Sequence, residues 1–294
     1  MSEQVLAAPT FARTSAVKTR GATVRAIYII WYRDVIRFTR DRWRLVTMMA
    51  QPVLYLLIFG TGLGSSLRGA ASAFGGGNGA LQYQQFIFPG VIGMTVLFTS
   101  MFGAMSIVWD REFGFLKEVL VAPIHRSAVA IGKTLGGATQ ATLQGLIILI
   151  LAPLAGVTLT WQGVLEVIPL IFVLAFALSA LGVAIGARMR NMQGFQVVTN
   201  FLMMPVFFLA GALFPLQGLP AWMTVLTRLD PASYGVDPLR RTVLSAAGVP
   251  SQVTDKLSLT LFGNILSEWI EVSLLLGFGL LMMALAIRSF QQRD

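Results

Sequence analysis

Residues 167–187 read VIPLIFVLAFALSALGVAIGA, without a charged side chain from end to end. A helix of about 20 such residues covers the hydrocarbon of a bilayer. Five further stretches share this character, at about 45–64, 84–108, 134–156, 195–214 and 269–287, and none has a charge in its middle. Composition agrees: 55% of residues are hydrophobic, 12% are charged and mean hydropathy is +0.73. A soluble domain carries about 25% charged residues. The chain therefore reads as an all-α polytopic membrane protein with six transmembrane helices, in one domain over 24–294.

The formal charge of +9 is not spread evenly. With six spans, one face holds the basic residues of the N-terminal arm from Arg13 to Arg44. It also holds Arg111, Lys117, Arg126, Lys133, Arg188, Arg190, Arg288 and Arg293. The other face keeps only Arg68, Arg228, Arg240, Arg241 and Lys256. Basic residues are retained in the cytoplasm, so both termini are expected there, in a cell (plasma or inner) membrane. The surplus thus marks a membrane face and not a nucleic-acid surface. Arg240 and Arg241 are expected on the outer side.

There is no cysteine and a single histidine, His125. No disulfide or cysteine-based metal site can form, and no catalytic residue or metal site is expected. Gly132-Lys133-Thr134 ends like a phosphate-binding loop, but that motif needs glycine where Ser127 stands. The chain is not expected to bind ATP itself. Residues 1–23 lack the apolar core of a signal peptide and read as a disordered cytoplasmic tail, with an organellar transit peptide as the compositional alternative.

Residues 24–44 read as an interfacial helix. Ile27, Trp31, Val35 and Phe38 share one stripe, and Arg33, Arg37, Arg40 and Arg44 lie nearly opposite. Such a helix anchors the first span or also touches a cytoplasmic partner. The loop at about 65–83 is rich in glycine and reads as mobile. The segment at about 215–268 is broken by Pro215, Pro220 and Pro231, yet Trp222, Met223, Val225, Leu226 and Leu229 keep it apolar. That combination suits a short re-entrant hairpin at 210–240, followed by an exposed amphipathic piece.

Ionisable groups at bilayer depth would suggest ion coupling. Glu166, Glu268 and Glu271 all fall near outer ends of spans and read as headgroup-solvated interface markers, or else as an outer gate. Gln140 with Gln144, and Gln196 with Asn200, are four apart on helix faces. Such amides satisfy one another between helices, or line a substrate path or dimer interface, for which Gln196 and Asn200 are the first candidates. Gly132, Gly136, Gly182 and Gly186 favour close helix approach.

Between the second and third stretches, Asp110-Arg111-Glu112-Phe113-Gly114-Phe115-Leu116-Lys117-Glu118-Val119-Leu120 sets Phe115, Leu116, Val119 and Leu120 at helical spacing before Pro123. A short amphipathic helix between two spans suits docking into a partner's groove. The residues to carry it are Arg111, Glu112, Phe115, Leu116, Lys117, Glu118 and Leu120.

From Arg111-Glu112 through Leu120, Pro123 and Arg126 to Gly132-Lys133, the chain resembles permeases of ATP-binding-cassette exporters of the second type (ABC-2). The run Leu209-Ala210-Gly211-Ala212-Leu213-Phe214-Pro215, with Pro220, Trp222, Asp230-Pro231, Tyr234, Asp237 and Leu239-Arg240, is similar to that family's second signature. Ala210 stands for the common serine and Asp230 for the common asparagine. The nearest group is that of daunorubicin-resistance and nodulation-factor exporters.

The resemblance implies a half-permease that pairs with a second copy or a paralogue. Each half would bind a separate ABC ATPase subunit that holds ATP and Mg, so no cofactor is expected in this chain. Residues 111–122 would be the coupling helix and 24–44 the connecting helix. Gly211, Pro215, Pro220 and Trp222 would shape the outer hairpin. The cargo would be an amphipathic drug, lipid or lipid-linked glycan. An ion-coupled carrier and a non-transport membrane scaffold are the alternatives.

Overall fold

The computed structural model describes residues 20–63, 83–113, 125–261 and 264–292. Helix α1 (Arg20–Arg40) leads into α2 (Arg42–Leu57), which runs on into a π-helical segment at Ile58–Leu63. Then come α3 (Tyr83–Glu112), α4 (Arg126–Ile150) with a 3₁₀ turn at Ala152–Ala155, α5 (Trp161–Gly186) and α6 (Met192–Leu209). The chain continues through α7 (Ala221–Leu229), α8 (Ser233–Ala246) and α9 (Ser251–Asp255). Two short strands, Thr260–Leu261 and Asn264–Ile265, pair antiparallel before the last helix, α10 (Glu268–Gln291).

Local chemistry sets several of these limits. Thr160 caps α5 by accepting the Gly163 N–H, and Asn191 caps α6 by accepting that of Gly194. Prolines at 52, 89, 169 and 205 lie inside apolar helices. Neighbouring helices tolerate such breaks in a membrane protein. Among the described residues, α3, α5, α6 and α10 are long and apolar enough to cross a membrane, and Val46–Gly60 is a shorter apolar helix. Helix α4 is less apolar, with Arg126, Lys133, Gln140 and Gln144 along it.

The core forms where α3, α4 and α5 pack on one another, with α10 against α5 and α4, and α8 against α5 and α3. Glycines let backbones approach there. A Cβ on Gly145 would lie 2.9 Å from Ile171, and one on Gly182 3.0 Å from Ala104. Arg126 donates to the carbonyls of Phe290 and Gln291, and Arg188 to the hydroxyl of Ser289. The end of α10 thus meets the start of α4 and the end of α5, at the same end of the bundle as α1. The described residues of 210–261 and 264–267 occupy the opposite end.

Two sequence-based limits are corrected. Helix α4 begins at Arg126, not near 134, because the charge of Lys133 is met inside the protein, as described below. The piece expected to be exposed after the hairpin, from 241 on, is buried in part: Thr242, Val243 and Leu244 at the end of α8, and Thr254, Leu257 and Ser258 beyond it, are all enclosed.

Candidate functional site

Helix α1 lies in a groove on α4. A Cβ on Gly132 would come within 2.9 Å of Ile30, and one on Gly136 within 3.2 Å of the Cβ of Asp34. The Trp31 indole donates to Thr139 at 2.9 Å, and the Gln140 amide to the Asp34 carbonyl at 3.0 Å. The inward face of α1 is therefore not the wholly apolar stripe read from the sequence. It carries Asp34, buried like Phe38.

Asp34 belongs to a charge cluster that spans three helices. The Lys133 ammonium, 5% exposed, lies 2.8 Å from Asp110 and 3.2 Å from Asp34, and donates to Ser106 at 3.1 Å. Arg33 reaches Asp110 at 3.1 Å and Asp34 at 3.2 Å. Two cations thus face two carboxylates, which makes their burial tolerable. The sequence puts Arg33 on the solvated face, and it is instead half-buried in this cluster. The charge pattern alone could not reveal it, because the cluster depends on which helices meet.

Asp110 is immediately followed by Arg111 and Glu112, at the end of α3. The Arg111 guanidinium donates to the carbonyls of Met189 and, at 3.0 Å, Ala187. The Glu112 carboxylate accepts the Met192 N–H at 3.2 Å, at the start of α6, where an anion is favoured by the helix dipole. The last turn of α3 is thereby fastened to the loop between α5 and α6. Phe113 is 81% exposed beside it. Phe115, Leu116, Lys117, Glu118 and Leu120 lie outside the described residues.

The amide pairs separate. Gln140 and Gln144 are both buried in the bundle, where the Gln140 amide meets α1. Gln196 and Asn200 are exposed on α6, among Val197, Phe201 and Met204.

At the opposite end, the residues of the second signature hold the 210–240 hairpin together. Gly211 has φ +71, and a Cβ there would sit 2.6 Å from Leu216. Arg240, 1% exposed, donates to the Gly211 carbonyl and stacks 4.5 Å from the centre of the Phe86 ring. The Tyr234 hydroxyl donates to the Arg228 carbonyl at 2.6 Å. Asp237 accepts from the Leu259 N–H at 2.9 Å and from Arg241 at 3.0 Å. Pro220 precedes the first residue of α7, and Trp222 is exposed on that helix.

Two expectations change here. Arg240 and Arg241, expected to face the outer side, are enclosed by the protein at the hairpin end. Glu271 is not a headgroup-solvated marker: it is 0% exposed and ion-paired with Arg241. Glu166 and Glu268 are exposed, as a solvated marker would be. Asp230 is buried, with its Oδ1 accepting the Ala232 N–H at 3.0 Å. Burial pushes its carboxyl up to about 8, partly opposed by that N–H.

The chain belongs to the ABC-2 type transporter family, whose model matches residues 25–244. It is 26% identical over 232 residues to the inner membrane transport permease YadH of Escherichia coli K12, covering 78% of this chain and 87% of that protein. Nodulation protein J of Rhizobium leguminosarum bv. trifolii is 25% identical over 218 residues, 73% of this chain and 80% of its own length. The putative transport permease ycf38 of Cyanophora paradoxa is 24% identical over 219 residues, 74% of this chain and 73% of that protein. The chain is thus a membrane transport permease of the ABC class, and its family implies association with an ABC ATPase.

Proposed function

We propose that this chain is the six-span transmembrane subunit of an ATP-driven exporter, with both termini cytoplasmic. It pairs with a second copy or a paralogue and is powered by a separate ATPase subunit. Its cargo is an amphipathic drug, lipid or lipid-linked glycan taken from the cytoplasm or the inner leaflet. Membership of a transporter family favours this reading over an ion-coupled carrier or a non-transport scaffold.

The observation that carries the reading is the fastening of Asp110, Arg111 and Glu112. Asp110 immediately precedes the proposed coupling helix at 111–122, and Arg111 and Glu112 open it. Together the three are joined to α1, to α4 and to the loop between α5 and α6. A push on the coupling helix by the ATPase therefore reaches four helices through charged contacts. ATP acts by binding the closed state of the ATPase pair more tightly, which is the only way a ligand shifts such an equilibrium. The exposed Gln196 and Asn200 support a second role for α6, since amides on an apolar helix favour a polar partner over lipid. We assign them to the substrate path or the dimer interface.

The test is co-purification in mild detergent with the ATPase encoded beside the gene, followed by turnover assays. A complex of two permeases and two ATPases, stimulated by amphipathic compounds, is the expected result. A permease that captures no ATPase would end the proposal.

A further inference from the structure

Where α1 turns into α2, the chain leaves a cavity of about 200 Å³ that coupling does not use. Residues of α1 and α2 border it on one side, and residues of α3 and α4 on the other. Gly103 on α3 makes part of the room. A Cβ there would meet nothing closer than the Gly137 Cα, at 3.6 Å.

One wall is polar and deep. It is made by Asp34 and Gln140, each 7% exposed, together with Ser106. Gln140 donates its amide N–H to the Asp34 carbonyl and sets its oxygen toward Gly103, 3.7 Å from where a Cβ would stand. Ser106 accepts from the Lys133 ammonium and keeps its own O–H to donate. The wall thus offers both an acceptor and a donor, which is what a hydroxyl group can use.

Charge selects a neutral occupant. Asp34 is already held between Lys133 and Arg33, which also share Asp110. Arg37 and Asp41, both exposed, add one lining charge of each sign. Three cations thus meet three carboxylates, and a charged occupant would bring a charge without a counterpart. The other walls select a ring. Phe38, Phe102 and Trp109 are joined there by Met48 and Met105. Thioethers pack favourably on aromatic edges and adapt to their shape. An apolar cavity of about 150 Å³ holds benzene, so this one has room for a single ring with small substituents.

We infer that this cavity is a binding site for a neutral, single-ring phenol. Its hydroxyl accepts from Ser106 and donates to Gln140, and its ring lies against the methionines and aromatic side chains of the other walls. Such a molecule touches four helices at once, beside the ion pairs that fasten α1 to α3 and α4. The site depends neither on the identity of the exported compound nor on an ATPase.

The site is tested by thermal unfolding of the purified full chain in detergent, with para-cresol, toluene, benzylamine or benzoate at equal concentration. A ligand of the folded state raises the midpoint. Para-cresol is expected to raise it by several degrees, and the other three by less than half as much. Gly103→Leu fills the cavity and should abolish the rise, while Gly103→Ala adds one methyl group and should reduce it. An equal rise with toluene overturns the part given to Gln140 and Ser106. A larger rise with benzylamine or benzoate overturns the neutral occupant. No rise with any of them overturns the site, as does a rise that survives in Gly103→Leu. Should that variant not fold, an undiminished rise in Gly103→Ala has the same meaning.

Discussion

Asp230 shows how one residue can depart from a family's pattern without disturbing the fold. Asparagine is neutral, and the buried carboxyl of Asp230 is kept neutral by its surroundings, with a pKa of about 8. The unfolded carboxyl ionises near ~3.9. Between those values the folded chain holds a proton that the unfolded chain has lost, so stability falls as pH rises through this window. Asp230→Asn should therefore melt at a higher temperature than wild type near neutral pH, and the two curves should converge toward pH ~4. Thermal unfolding in detergent across that range checks it, and parallel curves would refute it. Lys133 poses the opposite case, a buried charge that is fully paired. Lys133→Met leaves Asp34 and Asp110 with one cation fewer and should cost on the order of 3 kcal/mol, read as a lower unfolding midpoint. The sequence places Lys133 beside Gly132 in a recognisable motif but says nothing of its partners. Asp34 and Asp110 lie 99 and 23 residues away from it.

At the scale of elements, the long apolar helices are legible in the sequence and their ends are not. Charge-free runs such as 167–187 announce a span directly, because hydrocarbon tolerates little else. The sequence cuts α4 short because a lysine looks like an interface, and nothing local shows that two carboxylates neutralise it. The partners of helix α8 are hidden for the same reason. Asp237 and Arg240 belong to a recognisable signature, and Arg240 and Arg241 are expected on the outer side, but nothing local shows that Glu271, Leu259 and Gly211 are brought to them. The hairpin should accordingly be sensitive to one-sided changes. Arg241→Met strands Asp237 and Glu271 without their cation and should destabilise the fold by about 3–5 kcal/mol. Glu271→Gln keeps the contact with fewer buried charges and should be milder. Comparing the two in a denaturant titration separates loss of charge balance from loss of shape. For α1, Gly132→Val should lift the helix from its groove, since even a Cβ at that position would meet Ile30 at 2.9 Å. Faster proteolysis between α1 and α2 would report it.

For the whole molecule, the candidate site is legible in part. The motif at 111–126 points to coupling, and Arg111 and Glu112 do sit at a junction. Their described partners, however, are in this chain's own loop at 187–192, which spacing along the sequence could not indicate. Glu112→Ala should leave membrane insertion and ATPase capture intact while lowering cargo-stimulated turnover several-fold. Unchanged stimulation would remove Glu112 from the coupling path. The two charge clusters stand at opposite ends of the bundle, and α3 touches both. Its 30 residues make a rod about 45 Å long. Near the hairpin end, a Cβ on Gly90 would come within 2.7 Å of the Ala212 Cα, so the hairpin's backbone rests on the rod itself. Such a contact leaves no cushion of side chains to absorb displacement. Any side chain at position 90 would therefore have to push the hairpin's backbone off α3, and Gly90→Ala should lower the unfolding midpoint by parting the two ends of the hairpin from the bundle.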